Sequence, residues 1–280
     1  MTTVLKLGGE LLENAAAMKG MAEAIRALAA RGRVVVVHGG GRAIDAELRL
    51  RGLEPRFVDG LRVTDAAALE SVVSVLAGRA NTAFVAALHA TGVRAVGLTG
   101  ADDGLGRAQR APIFSTAAGA RVDLGLVGQP EAAPVTLLED LTALGYVPVI
   151  ASIGVTPDGT LLNVNADTMA GHLAGALGAE RLVIAGATAG VLGRDGRTLA
   201  TLAVDAVDDM TASGEAHSGM IAKLVACRTA IDQGVHDVRI VSGSDLTDLD
   251  AAPGTRVTGR VAAARVTDAR SGGQACGTQR

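Results

Sequence analysis

The sequence predicts an α/β fold built around a layered, parallel sheet. Short runs of β-branched residues alternate with alanine-rich helical stretches along most of the 280 residues. This alternation favours a parallel sheet, because consecutive parallel strands must be joined by a crossover, usually a helix. Residues 34–37 are four consecutive valines, as expected of a strand buried on both faces. Only one Tyr and three Phe are present, so we expect helices and sheet to pack through small side chains.

The predicted elements follow this alternation. Strands are predicted at residues 4–7, 33–38, 95–98, 147–151, 182–185 and 238–241. Helices are predicted at residues 15–30, 43–51, 66–90, 136–144, 168–177 and 219–233. Two stretches interrupt the pattern: residues 107–128 are irregular and fit a β-hairpin or lid, and residues 155–165 contain Pro-Asp-Gly, a strong hairpin-turn signal. Residues 263–280 are predicted from their composition to form a disordered tail.

Composition argues against several classes of protein. The net charge of -3 disfavours a nucleic-acid-binding protein, which needs a basic surface to replace phosphate counterions. The first residues already predict a strand rather than a leader peptide, and the continuous apolar runs are far too short to span a bilayer. Cys227 and Cys276 form neither a disulfide framework nor a metal-ligand pattern. We therefore expect a cytoplasmic protein without nucleic-acid or membrane partners.

Lysine is rare in this chain. Of 26 basic residues only Lys6, Lys19 and Lys223 are lysines, and the others are arginines. A compact, flexible ammonium group differs from a planar guanidinium, so the remaining lysines mark positions where that difference matters. Lys19 lies in a plain helical stretch and needs no functional explanation. Lys6 and Lys223 lie beside glycine-containing turns, which makes them candidate functional residues.

Two glycine turns follow predicted strands. Neither the P-loop pattern nor Gly-x-Gly-x-x-Gly is present, so bound phosphates would need another arrangement. Gly8 and Gly9 can expose backbone N–H groups to an anion, although an ordinary turn explains two glycines equally well. Gly39, Gly40 and Gly41 precede a helix. Each glycine costs about 0.5–1 kcal/mol in an ordered element, so an anion resting on their amides explains three in a row better than a turn does.

Two other motif residues have structural explanations beside functional ones. Arg62 carries a planar fork that suits a carboxylate, and it precedes a helix that Thr64 or Asp65 can cap. A lone arginine says little by itself in a sequence with 23 of them. His38 has no second histidine at ligand spacing, so we expect a hydrogen-bonded structural histidine.

A cluster of amide and carboxylate side chains precedes the helix predicted at residues 168–177. Asn163, Asn165 and Asp167 are ordinary capping residues for such a position. Their alternation nevertheless places all three on one side, where they suit holding a polar ligand and orienting a lysine. Lys223 falls near the first turn of the last helix, where the helix dipole disfavours a cation by about 0.3–1 kcal/mol. A cation at such a position favours a functional role.

These motifs resemble those of the amino-acid kinase family, and within it those of the acetylglutamate kinases. Lys-Leu-Gly-Gly, His-Gly-Gly-Gly, Gly-Leu-Arg-Val-Thr, Asn-Val-Asn-Ala-Asp and Gly-Met-Ile-Ala-Lys occur in this order, and the resemblance spans about residues 4–258. The third and fourth motifs together are the most specific. The resemblance implies a three-layer α/β/α sandwich with an open, mainly parallel sheet. It divides residues 1–262 into an amino-acid lobe, about 1–178, and a nucleotide lobe, about 179–262.

The resemblance also implies an activity and the residues that perform it. The enzyme would use ATP with Mg²⁺ to phosphorylate the γ-carboxylate of N-acetyl-L-glutamate, a step of arginine biosynthesis. Lys6 and Lys223 would contact the transferred phosphoryl group, with Asp167 orienting both. Substrate would bind at Arg62, Asn163 and Asn165 and at the backbone of Gly39, Gly40 and Gly41, and the phosphates at Gly8 and Gly9.

The reaction implied by the resemblance agrees with the chemistry of the candidate residues. A γ-carboxylate has a pKa near ~4.3 and is already ionised at neutral pH, so it needs no general base. Phosphoryl transfer to it requires alignment and neutralisation of repelling anions, which lysines and backbone amides supply. Mg²⁺ would be held largely by ATP oxygens and water, and no residue is predicted as a metal ligand.

Two departures from the family pattern carry further expectations. Residues 186–190 are Gly-Ala-Thr-Ala-Gly, where the family usually has Ser/Thr-Asp-Val-x-Gly, so an aspartate is missing on the nucleotide side. Arginine-inhibited members have an additional N-terminal helix, whereas Lys6 lies almost at the N-terminus. We therefore expect no inhibition by arginine, and a homodimer rather than a hexamer.

Two alternatives remain open from sequence. The first is another amino-acid kinase, either glutamate 5-kinase or the kinase of carrier-bound aminoadipate. A site for the acetylated substrate should lack an acid for an ammonium group, and Asp167 is the motif acid that could be confused with one. The second alternative is a ligand-sensing module that binds without turnover, against which the retention of both motif lysines argues.

Overall fold

The computed structural model describes residues 1–115, 120–207, 210, 218–243 and 252–259. The sixteen strands found in these residues are β1 (Thr2–Leu7), β2 (Arg33–His38), β3 (Phe57–Val58), β4 (Leu61–Arg62), β5 (Ala95–Thr99), β6 (Ala108–Arg110), β7 (Phe114–Ser115), β8 (Arg121–Val122), β9 (Val127–Pro130), β10 (Val147–Ala151), β11 (Ile153–Val155), β12 (Leu161–Val164), β13 (Arg181–Gly186), β14 (Thr201–Ala203), β15 (Asp237–Ser242) and β16 (Gly254–Thr258). The α-helices of the same residues are α1 (Ala15–Ala29), α2 (Gly41–Leu50), α3 (Ala66–Val73), α4 (Asn81–Ala90), α5 (Thr136–Ala143), α6 (Ala166–Ala176) and α7 (Ser218–Asp232). Short 3₁₀ turns at Gly9–Leu12 and Asp102–Gly104, and a π-helical segment at Ser74–Ala80, complete the set.

The central sheet is mainly parallel, as predicted. Its eight strands run in the order β14-β16-β15-β13-β1-β2-β10-β5, and the β15–β16 pair alone is antiparallel among them. The chain first builds outward from β1 through β2, and later returns to place β13 on the other side of β1. In open α/β sheets, ligands bind outside the carboxyl ends of the strands at such a change of direction.

Alternate side chains of the central strands face two separate helical layers. In β2, Val35 and Val37 belong to the apolar cluster that includes α5, α6 and α7. Val34 and Val36 belong to a second cluster, which includes α1 and α4. All four valines are buried, so the sheet is covered on both faces, and the predicted three-layer sandwich is confirmed.

Most predicted elements are present with small shifts at their ends. The Pro-Asp-Gly hairpin is confirmed, because β11 and β12 pair antiparallel around it. The predicted lid at residues 107–128 contains β6, β7, β8 and the start of β9, and β7 pairs antiparallel with β8. β6 and β9 join the hairpin in a four-stranded sheet, β11-β12-β9-β6. The predicted tail, residues 263–280, lies outside the described residues.

Two predictions of regular structure need correction. The helix predicted over residues 66–90 is helical throughout but not a single α-helix, since a π-helical segment, Ser74–Ala80, separates α3 from α4. β14 and β16 were not predicted. β14 has only three residues, and β16 lies at Gly254–Thr258, next to a proline and among polar residues. Neither has the continuous apolar run that marks the central strands.

The run Ala66–Ala90 is also the part of the described chain that is long and apolar enough to cross a membrane. Length and composition alone are weak evidence, because core helices of globular proteins pass the same test. Here Val72, Leu76, Phe84 and Leu88 are fully buried within the apolar clusters of the domain. The run therefore has the packing expected of a core helix.

The helices α6 and α7 approach each other unusually closely. A methyl group placed on Gly171 of α6 would lie 2.5 Å from the carbonyl oxygen of Ala226 in α7. Only a glycine at this position permits that separation, which agrees with the predicted packing through small side chains. The contact sets the spacing between α6 and α7, and α6 also packs against β1.

Candidate active site

Every residue predicted for the site lines a single cavity of about 240 Å³ at the carboxyl ends of the central strands. The cavity has the size of a site for a small molecule. The lining includes the residues predicted from sequence, namely Lys6, Gly8, Gly9, Gly39, Gly40, Gly41, Arg62, Asn163, Asn165, Asp167 and Lys223. Residues far apart in sequence therefore meet where the sheet changes direction.

A carboxylate lies between the two motif lysines at the floor of the cavity. Lys6 Nζ is 2.9 Å from Oδ1 of Asp167, and Lys223 Nζ is 3.7 Å from its Oδ2. The side chains of Lys6 and Asp167 are only 6% and 8% exposed, and that of Lys223 is 17% exposed. Little water reaches the group, so its charges act on a ligand with little screening. Lys6 belongs to β1 and Lys223 to α7, so Asp167 joins the two sides of the site.

Capping of α6 fixes the position of Asp167. The side-chain oxygen of Asn165 accepts hydrogen bonds from the backbone N–H groups of Asp167, at 2.9 Å, and Thr168, at 3.1 Å. Asn165 is thus the N-cap, and α6 begins at Ala166 rather than at the predicted residue 168. Asp167 lies in the first turn, where a negative charge is favoured by the helix dipole.

Lys223 lies deeper in its helix than the sequence suggested. α7 is described from Ser218, which places Lys223 in the second turn rather than the first. The unfavourable effect of the helix dipole on a cation falls off within the first turn. The dipole argument for a functional role of Lys223 is therefore weaker than predicted. The side chain instead turns back toward the helix start, where Nζ lies 3.4 Å from the carbonyl oxygen of Gly219.

The two glycine turns touch each other. A methyl group on Gly9 would lie 2.6 Å from Cα of Gly40, and one on Gly40 would lie 2.8 Å from the side chain of Leu76. Both positions therefore need glycine for close packing. Gly41 has open space on its Cβ side and is the first residue of α2, so its backbone can be approached by a ligand at a helix N-terminus.

His38 is structural, as expected. Its side chain is fully buried, with Nε2 3.1 Å from the amide nitrogen of Asn81 and Nδ1 3.2 Å from the carbonyl oxygen of Gly39. Burial lowers the pKa of His38 to about 4, so the imidazole is neutral at neutral pH. The histidine connects the glycine turn to the start of α4.

Arg62 is held in place from three directions. Its Nη1 lies 2.6 Å from Oδ1 of Asp45, its Nη2 donates to the carbonyl oxygen of Gly41 at 3.1 Å, and its guanidinium carbon lies 4.7 Å from the ring centre of Phe57. The side chain is only 8% exposed. Nη1 of Arg62 and Oδ1 of Asp45 are both buried atoms, so this charge contact fixes the guanidinium at the wall of the cavity.

One hydrogen bond joins the Gly-Leu-Arg-Val-Thr motif to the Asn-Val-Asn-Ala-Asp motif. The side-chain amide of Asn163 donates to the hydroxyl of Thr64 at 3.0 Å, and Thr64 is fully buried. Asp65 rather than Thr64 caps α3, since its carboxylate accepts from the N–H of Ala68. Thr64 therefore positions Asn163 beside Arg62 at the same wall of the cavity.

Sequence reasoning missed two acidic residues of this region. Asp45 pairs with Arg62, and Glu10 lines the cavity beside the first glycine turn. Each lies next to a recognised motif, but in a helical segment where acidic residues are common on the surface. Their proximity to the site depends on tertiary structure, so only the adjacency to the glycine turns could have indicated them.

The altered turn after β13 contacts Glu10. The backbone N–H of Ala187 donates to Oε1 of Glu10 at 2.7 Å. Two backbone hydrogen bonds also hold the residues that lead into this turn. The N–H of Gly8 donates to the carbonyl oxygen of Ala185, and the N–H of Gly243 donates to the carbonyl oxygen of Gly186. The turn without the aspartate is therefore held by a carboxylate from the turn that follows the neighbouring strand β1.

Fold and site together define a protein that binds small anionic ligands in a cleft of an open parallel sheet. Two buried lysines, a preorganised arginine and amide-rich glycine turns can hold a carboxylate and phosphates close together and neutralise their charges. The model of the amino acid kinase family matches residues 1–242. This chain belongs to the amino acid kinase family.

Its relatives narrow the comparison further. The chain is 41% identical over 247 residues to "Acetylglutamate kinase" from Acidiphilium cryptum, covering 86% of this chain and 83% of that protein. It is 44% identical over 246 residues to "Acetylglutamate kinase" from Symbiobacterium thermophilum, covering 86% and 84%. Among solved structures, smu.665 from Streptococcus mutans superposes with a TM-score of 0.78 at 25% identity, covering 92% of this chain and 98% of that one.

Proposed function

We propose that this protein transfers the γ-phosphoryl group of ATP to the γ-carboxylate of N-acetyl-L-glutamate, in arginine biosynthesis. The relatives at about 40% identity support the substrate, because they are named "Acetylglutamate kinase" and the similarity covers most of both chains. Membership of a kinase family supports ATP as the phosphoryl donor. The observation that carries the proposal is the pair of lysines joined by Asp167 in the cavity of the glycine turns.

The chemistry follows from that arrangement. The acceptor carboxylate is ionised and attacks the γ-phosphorus directly, while the bond from the γ-phosphorus to the β–γ bridging oxygen breaks and ADP leaves. Negative charge spreads over the transferred phosphoryl group in the transition state. Lys6 and Lys223 approach from opposite sides of the cleft and can neutralise that charge. Asp167 orients both lysines before the ligands bind.

The acidic substrate would lie on the wall formed by Arg62 and the amides. Arg62 and Asn163 would hold its α-carboxylate side, with Asn165 lining the same wall. The backbone of Gly39, Gly40 and Gly41 would receive the γ-carboxylate. Asp167 is paired with Lys6 and Lys223, and Asp45 with Arg62, so neither of these acids is free to bind an α-ammonium group. This favours an acetylated substrate over free glutamate.

The nucleotide would lie on the side of β13. Gly8 and Gly9 would line the phosphates, close to Lys6 and Lys223. Mg²⁺ would accompany ATP, and its phosphate oxygens and water would supply most of the ligands that this cation prefers. By this arrangement, residues up to about 178 form the lobe for the amino acid and those from about 179 to 262 the lobe for the nucleotide.

We also propose a homodimer. Among the described strands β5 is the last of the sheet on its side, pairing with β10 alone. An open sheet edge is normally covered, and another copy of the chain can cover it. The flanking run Ala66–Ala90 is apolar but incompletely buried, which supports a dimer interface on the same face as the β5 edge.

A trapping experiment tests the reaction. The purified protein is incubated with MgATP and N-acetyl-L-glutamate, and hydroxylamine converts the acyl phosphate into a hydroxamate. We expect hydroxamate with the acetylated substrate, and a rate about 10²–10³-fold lower after Lys223→Ala or Lys6→Ala, since each change removes charge stabilisation of the transition state. Lys19→Ala is the matched control, because Lys19 is 75% exposed on α1.

Other outcomes identify the alternatives. Hydroxamate with free glutamate at a similar rate would favour glutamate 5-kinase, and with carrier-bound aminoadipate alone it would favour that kinase. Binding of N-acetyl-L-glutamate without any hydroxamate would favour a ligand-sensing protein. Equal loss of rate in all three lysine variants would contradict the assigned role of Lys6 and Lys223.

A further inference from the structure

Glu10 places a carboxylate at the nucleotide side of the site. It lies in the 3₁₀ turn Gly9–Leu12, directly after the first glycine turn. Its carboxyl group packs flat against Gly8, where a methyl group would lie only 2.3–2.6 Å from the three carboxyl atoms. Its Oε1 accepts the hydrogen bond from Ala187 N–H. Gly8 thus makes room for this carboxylate.

Glu10 differs from the other acids around the site in lacking a cation. Asp167 is paired with two lysines, and Asp45 is paired with Arg62. Glu10 forms no ion pair with a basic side chain in the part of the chain that the structure describes. Since it lines the cavity, its negative charge faces the space that phosphates would enter.

A carboxylate at this place repels a nucleotide that has no metal. ATP without a divalent cation carries up to four negative charges on its phosphates, and unit charges a few ångströms apart interact strongly in a partly buried site. Mg²⁺ reverses the sign of this effect, since it prefers oxygen ligands and is commonly bound by phosphates together with one or two carboxylates. Among the described residues no three metal-ligating side chains are grouped, so such a cation would be shared with the nucleotide.

We propose that Glu10 makes nucleotide binding depend on the divalent cation, by repelling metal-free ATP and attracting the magnesium complex. The inference rests on the proposed function, because it requires the cavity to bind ATP. Glu10 acts on the cation directly or through one of its water ligands. Its hydrogen bond to the turn after β13 holds the carboxylate in the required place.

Isothermal titration calorimetry with a non-hydrolysable ATP analogue tests this inference. Binding is measured in excess Mg²⁺ and in excess EDTA, for the wild type and for Glu10→Gln. Glutamine keeps an oxygen that can accept from Ala187 N–H but removes the charge. The quantity compared is the dissociation constant in EDTA divided by that in Mg²⁺. We expect this ratio to fall about tenfold in the variant, because the metal-free analogue binds more tightly and the magnesium complex more weakly.

Two further variants separate charge from structure. Glu10→Ala removes both charge and hydrogen bond, and we expect the same reduced ratio. Glu13→Gln is the matched control, because Glu13 follows the same turn but pairs with Arg42 at 3.4 Å outside the cavity. Its ratio should equal that of the wild type. Thermal unfolding of each variant verifies that it is folded.

The outcomes distinguish this inference from the proposed function. A ratio in Glu10→Gln equal to the wild-type ratio would overturn the inference and leave the proposed function intact. A parallel change of both dissociation constants would also overturn it, since the carboxylate would then only brace the turn. Absence of binding by the wild type in both conditions would overturn the proposed function together with the inference.

Discussion

Asp167 connects charges that come from distant parts of the chain. Its two oxygens face Lys6 on β1 and Lys223 on α7, and its own position is set by the Asn165 cap. The lysines are therefore oriented before any ligand arrives. Preorganised charges need no rearrangement during the reaction, which is the main way in which enzymes stabilise a developing anion.

Arg62 depends on Asp45 in a similar way. The pair is mostly buried, with side chains 8% and 22% exposed, and Asp45 restrains the guanidinium toward the cavity. We expect Asp45→Asn to raise the KM for N-acetyl-L-glutamate about tenfold, because a misplaced binding group loses much of its effect. The KM for ATP should stay unchanged. Initial-rate kinetics with each substrate varied in turn measures both constants.

Glu47→Gln is the control for that variant. Glu47 lies on the same helix, but it pairs with Arg51 at 2.8 Å and with Arg79 at 3.4 Å and does not line the cavity, so the kinetics of this variant should match the wild type. A lower KM for the acidic substrate in Asp45→Asn would contradict the restraint. It would mean that Asp45 competes with the substrate carboxylate for Arg62.

At the scale of single residues, sequence indicated the motif residues but not their partners. The rarity of lysine and the repeated glycines singled out Lys6, Lys223 and the two turns, because both signals are local. Asp45 and Glu10 carry no local signal, since acidic side chains are ordinary in helical turns. Their importance follows from distances across the cleft, which a single sequence does not contain.

At the scale of elements, the contact between α6 and α7 determines how Asp167 meets Lys223. Gly171 allows this contact, and its nearest neighbours across the interface are backbone atoms of Ala226, which cannot move aside cheaply. We expect Gly171→Ala to lower the free energy of unfolding by about 1–3 kcal/mol, as overpacking does. It should also lower kcat about tenfold by separating the helix starts. Calorimetric or denaturant unfolding and hydroxamate kinetics measure the two effects.

Gly20→Ala is the matched control for this change. Gly20 lies in the interior of α1 with open space on its Cβ side. Alanine there should raise the free energy of unfolding by roughly 0.5–1 kcal/mol, because glycine is unfavourable in a helix. Wild-type stability and kcat in Gly171→Ala would show that the helix contact does not position the charges.

The elements that sequence predicted well are those with continuous patterns. β2 and β10 match the prediction residue for residue, because they are short apolar runs bounded by turns. The π-helical segment has the same composition as the helix around it, so periodicity could not separate it. Leu76 of this segment packs against Gly40, so the π-helical geometry is associated with a tertiary contact rather than with a local sequence preference.

At the scale of the whole molecule, the sheet order explains why one cavity collects residues from most of the chain. β1 is central, with β2 on one side and β13 on the other, so turns from both halves meet above it. The proposed amino-acid side and the proposed nucleotide side would therefore share Lys6 and its glycine turn. A ligand on either side approaches the same pair of lysines.

The open edge at β5 leads to the prediction about assembly. A hollow of about 310 Å³, lined by residues that include Thr82 of α4 and Gly97 of β5, lies along this edge and contains none of the predicted site residues. Thr82 is exposed on the partly buried run Ala66–Ala90. We expect light scattering after size exclusion to give about twice the chain mass of 28.0 kDa.

Thr82→Glu should shift that dimer toward the monomer, because it places an additional charge on a face that a second copy would cover. Ala16→Glu, on an exposed position of α1 that does not line this hollow, is the matched control and should remain dimeric. A wild-type protein of 28.0 kDa at every concentration would exclude the homodimer. A dimer unaffected by Thr82→Glu would place the interface on another face.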